Sequence, residues 1–257
     1  MTKINNFNTY NNEMIKSMED KMHFSRTYLT DIKHLVDFGC ANGVFLSFTH
    51  SGNHNLDLIG IDMNYDMIKE ARKKLPSATF IMSTRPIVNS TFHYRESALN
   101  LGSVLHEVYF YQDEENINQF WDDVTNSGYK YIFIRDMISN LNDERANIVD
   151  VEKVRNRIEY ADRIKKFEDY HGSIDYQKNL IHFLLKYRFK LNWNREVKED
   201  YLPLSGSDIV DKLKDNYDII YRKEYVLPFV KSQAFNDFGI NIVDDTHIKL
   251  VARRKDY

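Results

Sequence analysis

Apolar positions in the first half of the chain follow two patterns: short continuous runs, and longer stretches where they recur every three or four residues. The runs suit strands buried on both faces, and the stretches suit helices with one buried stripe. An opening helix is expected over residues 13–24, where Met14, Ile15, Met18 and Met22 share a face. A strand follows at 34–38, then a loop at 39–43 and a helix from 44 to 49. The second run, 56–61, ends on Asp62. Asn64 is placed to cap a helix whose apolar stripe is Met67, Ile68, Ala71 and Leu75. Asp66 sits in its first turn, Arg72, Lys73 and Lys74 in its last, and Pro76 stops it, so the charges match the helix dipole. Further strands are expected at 78–82, 98–104 and 131–134, with a helix at 114–125 that turns Ile117, Phe120, Trp121 and Val124 to one side.

Strands alternating with helices at this spacing predict an α/β fold with a mostly parallel sheet and helices on both faces. The rhythm changes after Asp136. Residues 141–191 are charged and helix-like, and strand signals return only at 217–221, continuing to 226, and at 246–252. Those last two would pair antiparallel across a long loop. The expected organisation is an N-terminal helical segment (1–30), a sheet core (31–140), a helical insertion or substrate cap (141–212), and a strand pair completing the core (213–257).

Two short segments carry chemistry. In HLVDFGCANGVF, Asp37 closes the first strand, and Gly39 and Gly43 flank a tight turn into a helix. Glycine permits such a turn, and lets the backbone approach a ligand where a Cβ would clash. The G-x-G-x-x-G spacing of a dinucleotide loop is missing, so the turn suits an amino-acid-like group better than a pyrophosphate. The second segment is Gly60-Ile61-Asp62-Met63 at the end of the second strand. A carboxylate there can accept hydrogen bonds from both ribose hydroxyls. Taken singly, each has a plain structural alternative: a tight strand-helix turn, a helix-cap neighbour, a core methionine. Together, within one β-α-β unit, they reinforce each other.

With these motifs the chain resembles the class I S-adenosylmethionine (SAM) dependent methyltransferases. VDFGCANG is similar to their first motif, with Ala41 where many members have glycine, and GIDMNYDMIKEARKK to their second. ALNLGSVLHEVYF resembles the fourth-strand motif, and YIFIRDM the fifth strand. The resemblance covers roughly residues 35–137 and the final strand pair. It implies a Rossmann-like methyltransferase sheet with an antiparallel last strand, and SAM as cofactor. It further implies that Gly39, Ala41 and Gly43 line the methionine end of SAM, with Asp37 positioning that loop or touching the ligand. Asp62 would take the ribose hydroxyls, Met63 one adenine face, and Ser103 would lie beside the cofactor. The third strand ends Ile81-Met82-Ser83-Thr84, without the acid that often binds the adenine amino group, and Ser83 or a backbone carbonyl would substitute.

His106, at the cleft-facing end of the fourth strand, is the candidate base for a hydroxyl or amine acceptor, since its pKa lies near neutrality. The alternative is a packing residue bonded to a carbonyl. Cys40, the sole cysteine, excludes a disulfide framework and a Cys-rich zinc site, and its place inside the turn argues for packing, not attack on a base. No metal is expected. Transfer by proximity to an oxygen or nitrogen on a small molecule is the expected reaction. Charge adds a second option. The chain carries −3 overall, yet residues 151–195 hold 11 Lys/Arg against 6 Asp/Glu, a local +5. With Tyr160, Phe167, Tyr170, Tyr176, Tyr187 and Trp193 interleaved, that segment would suit RNA or a single-stranded nucleic acid, cations on phosphates and rings on bases. A nicotinamide-binding domain and a SAM-binding protein without catalysis are the remaining classes. The polar first twenty residues lack an apolar signal core and no run is long enough to span a bilayer, so a cytoplasmic protein is expected.

Overall fold

The computed structural model describes residues 18–22, 26–52, 55–142 and 144–256. The expected opening helix is described only as α1, Met18–Met22, and Met14 and Ile15 lie outside the described residues. Strands β1 (His34–Phe38), β2 (Asp57–Asp62), β3 (Thr79–Met82), β4 (Ser97–Gly102), β5 (Tyr131–Met137), β6 (Tyr217–Tyr225) and β7 (His247–Arg254) form one seven-stranded sheet among the described residues, ordered β3-β2-β1-β4-β5-β7-β6. β1 to β5 run parallel. β7 runs against β5, since Arg254 bonds to Lys130 and Ile138 to Thr246. It also runs against β6, with Lys255 on Asn216 and Thr246 on Tyr225.

Within the sheet, α2 (Val44–Gly52) follows β1 and α3 (Tyr65–Lys74) follows β2. Asn64 caps α3 as predicted, its side chain accepting from the Asp66 and Met67 N–H groups. α4 (Leu105–Tyr111) and α5 (Glu114–Asn126) separate β4 from β5. The expected strand over 98–104 therefore ends at Gly102, and His106 lies in the first turn of a helix, not on a strand end. The physical reason is Ser103, whose φ of 62° breaks the extended run. Met18, Met22, Leu35, Leu46, Ile68, Ala71 and Phe133 belong to one buried apolar core on this sheet.

The chain divides into two compact units. The first, described over 18–136, 207–223 and 249–256, holds most of the sheet. The second, 137–206 and 224–248, is largely helical: α6 (Ile148–Arg155), α7 (Ala161–His171), α8 (Gln177–Lys186), α9 (Trp193–Glu196) and, after α10 (Gly206–Leu213), which but for Gly206 belongs to the first, α11 (Pro228–Phe238). Helix α11 occupies what the sequence reading takes as a long loop. Its signal is present in the sequence: Pro228 at the start, Gly239 in the left-handed region at the end, and buried Val230, Ala234 and Phe238 four residues apart.

The helical unit has its own core, and four of the six aromatics proposed to stack on bases are in it: Tyr160, Phe167, Tyr187 and Trp193. Cations there are engaged locally, Arg155 with Glu168 and Asp175, and Arg145 over the Tyr176 ring. The rings bury because the unit needs an apolar centre of its own, so these four do not offer stacking faces, while Tyr170 stays exposed. Among the described residues no helix is long and apolar enough to cross a membrane.

Candidate functional site

The strand ends of the sheet unit gather the predicted residues. Asp37, the fourth residue of β1, is buried and lies in register with Gly60 on β2 and Asn100 on β4. The Asn100 amide donates to its carboxylate at 2.8 Å. Burial pushes the Asp37 carboxyl up to about 7, against the opposing pull of Asn100 and the Lys21 ammonium. A carboxyl harder to ionise in the folded chain weakens stability as pH rises from its unfolded value through its folded one. Asp37→Asn should therefore raise the melting temperature relative to wild type above about pH 7, with the advantage shrinking towards about pH 4. Thermal unfolding across that range tests it, and a pH-independent difference would contradict it.

After β1 the backbone turns hard. Gly39, Ala41 and Gly43 all have positive φ, at 75°, 45° and 73°. Two successive amides, Gly39 and Cys40, donate to the Ile61 carbonyl at 2.8 and 3.0 Å, pinning the turn to β2. The need for glycine comes from the protein itself: a Cβ on Gly39 would lie 2.5 Å from Val104 Cγ2, and one on Gly43 3.1 Å from Ala71 Cβ. Ala41 takes the left-handed conformation at a cost of roughly 1–2 kcal/mol for a residue with a side chain. It is held there by its N–H, which donates to Asp62 Oδ2 at 2.8 Å. Cys40 is buried, and burial pushes its thiol far up, so it is packing.

Asp62 thus does more than end β2. Its other oxygen, Oδ1, accepts from the Asn64 N–H at 2.8 Å. Burial raises the carboxyl, and the amides of Asn64, Ala41 and Met63 oppose that rise. Beside it, two methionines stand in the open: Met63 is 47% exposed, and Met82, in register with Asp62 on β3, 60%. The Ser83 hydroxyl, just after β3, is engaged locally. It accepts from the Arg85 N–H at 2.9 Å and donates to the Arg85 carbonyl at 3.2 Å.

At the β4 end, Ser103 donates its N–H to the Arg135 carbonyl at 2.7 Å and accepts from Arg135 Nη1 at 3.0 Å. Three residues on, buried His106 places Nδ1 2.8 Å from Asp136 Oδ1. Asp136 is fully buried, and its Oδ2 accepts from the Leu105 N–H at 2.7 Å, which fixes the carboxylate at the start of α4. No motif along the chain marks Asn100, Arg135 or Asp136 as a site residue. Their signal was polarity in the wrong place, an amide inside ALNLG and an Arg-Asp pair inside YIFIRDM.

No family model and no curated protein sequence matches the chain. Solved structures do. PKMT2 from Rickettsia typhi, in complex with AdoHcy, aligns at a TM-score of 0.55 and 12% identity over 88% of this chain and 49% of that one. The PH0226 protein from Pyrococcus horikoshii OT3 aligns at 0.53 and 12% identity, over 94% and 91%. The plantazolicin methyltransferase BpumL, in complex with a pentazolic desmethylPZN analog and SAH, aligns at 0.50 and 16% identity, over 96% and 88%. The fold is that of the SAM-dependent methyltransferases. In this sheet Asp37, Gly39, Ala41, Gly43, Asp62, Met63, Ser83 and Ser103 all lie at the carboxyl ends of β1 to β4 or in the turns that follow. That is where an open α/β sheet takes its ligand.

Proposed function

We propose that the chain binds SAM across the carboxyl ends of β1 to β4 and transfers its methyl group to an oxygen or nitrogen acceptor on a small molecule. The observation that carries this is Asp62: a half-buried carboxylate, latched to the glycine turn, with two exposed methionines beside it. Asp62 Oδ2 accepts from the Ala41 N–H and Oδ1 from the Asn64 N–H, and since a carboxylate oxygen can take two donors the group has room for ribose hydroxyls. Met63 and Met82 offer polarizable apolar surface for the adenine. Gly39, Ala41 and Gly43 would flank the methionine end, and Asp37 would steady the end of β1 that leads into the turn, held by the Asn100 amide. The Ser83 hydroxyl is bonded to Arg85 and keeps one lone pair, through which it, or a backbone carbonyl nearby, would accept from the adenine amino group.

When bound, SAM would supply an electrophilic methyl group. The chain's own part is placement and proton handling. Asp136 holds the Nδ1 side of His106, which favours the tautomer with its lone pair on Nε2. That nitrogen is the base assigned to the acceptor's O–H or N–H, and Asp136 would stabilise the imidazolium formed. Calorimetric titration with S-adenosylhomocysteine and, separately, with NADH tests the cofactor. Micromolar binding of the first alone is expected; NADH binding with no response to S-adenosylhomocysteine would overturn the assignment.

A further inference from the structure

Helix α1 brings a charge to the sheet that neither the turn motifs nor the proposed reaction uses. Met18 and Met22 bury in the sheet core, and between them Asp20 is gripped by cations from two strands. Arg135 Nε on β5 donates to one Asp20 oxygen at 2.8 Å, and Lys249 Nζ on β7 reaches the other at 2.5 Å. The buried Arg135 guanidinium continues to the Ser103 hydroxyl at 3.0 Å, while the Arg135 carbonyl takes the Ser103 N–H at 2.7 Å. Ser103 is held at φ 62°, a conformation that residues with a Cβ resist. The next residue, Val104, fills the space above Gly39. A continuous path therefore runs from Asp20 through Arg135, Ser103 and Val104 to the glycine turn, all within the sheet unit.

We propose that Asp20 is a positioning residue for the cofactor site: by neutralising Arg135 it keeps the 103–104 turn in shape against Gly39, and so sets the affinity for SAM. The inference rests on the SAM reading above. A guanidinium does not give up its proton, and a buried one without a counter-charge is costly. Loss of the Asp20 carboxylate removes the acceptor of Arg135 Nε and shifts the balance that holds the guanidinium on the Ser103 hydroxyl. The adjoining Lys21 ammonium belongs to the same group of charges. Burial and the Arg135 charge lower it to about 8, while Asp37, Asp136 and Glu107 hold it up, so disturbing Arg135 also disturbs the charge balance beneath the turn.

The test is calorimetric binding of S-adenosylhomocysteine to the full chain, with thermal unfolding alongside. Asp20→Asn should weaken binding about tenfold, the scale of a lost charge-assisted hydrogen bond. Asp20→Glu should recover most of it, which a loss of packing alone would not allow. Arg135→Lys keeps the charge but gives up the fork that joins Asp20 to Ser103, so it should also weaken binding and make Asp20→Asn nearly silent in its background. If Asp20→Asn fails to fold, Arg135→Lys decides alone. A folded Asp20→Asn or Arg135→Lys variant binding within about twofold of wild type overturns the proposal and leaves the SAM reading standing. No binding by folded wild-type protein overturns both.

Discussion

Asp62→Ala should weaken S-adenosylhomocysteine binding by about a hundredfold or more, because two charge-assisted ribose contacts at roughly 1.5–3 kcal/mol each would go with the carboxylate. The same substitution strips the partner from two backbone amides, Ala41 and Asn64, both held at 2.8 Å. Ala41 depends on that bond to keep its positive φ. The variant should therefore lose stability too, by about 1–3 kcal/mol for a buried donor left unmade. Asp62→Asn separates the two roles. An amide oxygen can still accept from one of the amides, so folding should recover in part, whereas the neutral side chain lacks the charge that strengthens the ribose contacts. Calorimetry with parallel chemical denaturation reads both. If Asp62→Ala binds as tightly as wild type, the carboxylate is only a latch for the turn.

Gly39→Ala carries the largest expected cost to stability. Two penalties add at this one position. A side chain at φ 75° costs roughly 1–2 kcal/mol. A methyl group 2.5 Å from Val104 Cγ2 must push the valine or the turn aside, at roughly 1–3 kcal/mol. The sum is about 2–5 kcal/mol, a large share of a typical domain's stability. The penalties are separable. In a Val104→Ala background the 2.5 Å overlap with Cγ2 goes and only the 3.0 Å approach to Cβ is left, so Gly39→Ala should cost little more than the conformational part. Urea denaturation of the four proteins in this cycle measures the coupling. A cost as large in the Val104→Ala background as in wild type would mean that the clash with Val104 is not what requires glycine here.

Much of the first half of the fold is legible along the chain, because its signals are local. The Asn64 cap, the basic last turn of α3 and the apolar runs of β1, β2 and β5 each lie within a few residues of the feature they specify. The glycine turn and Asp62 are likewise legible as a pair. Less accessible are features that depend on distant partners. The Asp37–Asn100 bond joins residues 63 apart in sequence, and His106–Asp136 joins residues 30 apart. Each is made by the parallel register or by the turn after β4, and no periodicity announces them. The apolar run predicts a fourth strand two residues too long because Val104 continues it; Ser103 ends the strand through its backbone angle, which residue type does not reveal.

The sequence by itself determined the fold class, the β-α-β arrangement and the two motifs at its strand ends, since strand, helix and turn preferences are set by neighbouring residues. Tertiary structure decided what those residues touch. It turned Tyr160, Phe167, Tyr187 and Trp193 from a surface into a core, because the helical unit must bury apolar area of its own. It gave the Gly39 requirement to Val104, a side chain 65 positions away, and made Asp62 a latch for Ala41 as well as a strand-end acid. It also set Asp20 against Arg135 and Lys249 from two other strands. Burial is a property of the assembled chain, and whether a charge or a ring is a ligand contact or a structural tie depends on what folding places beside it.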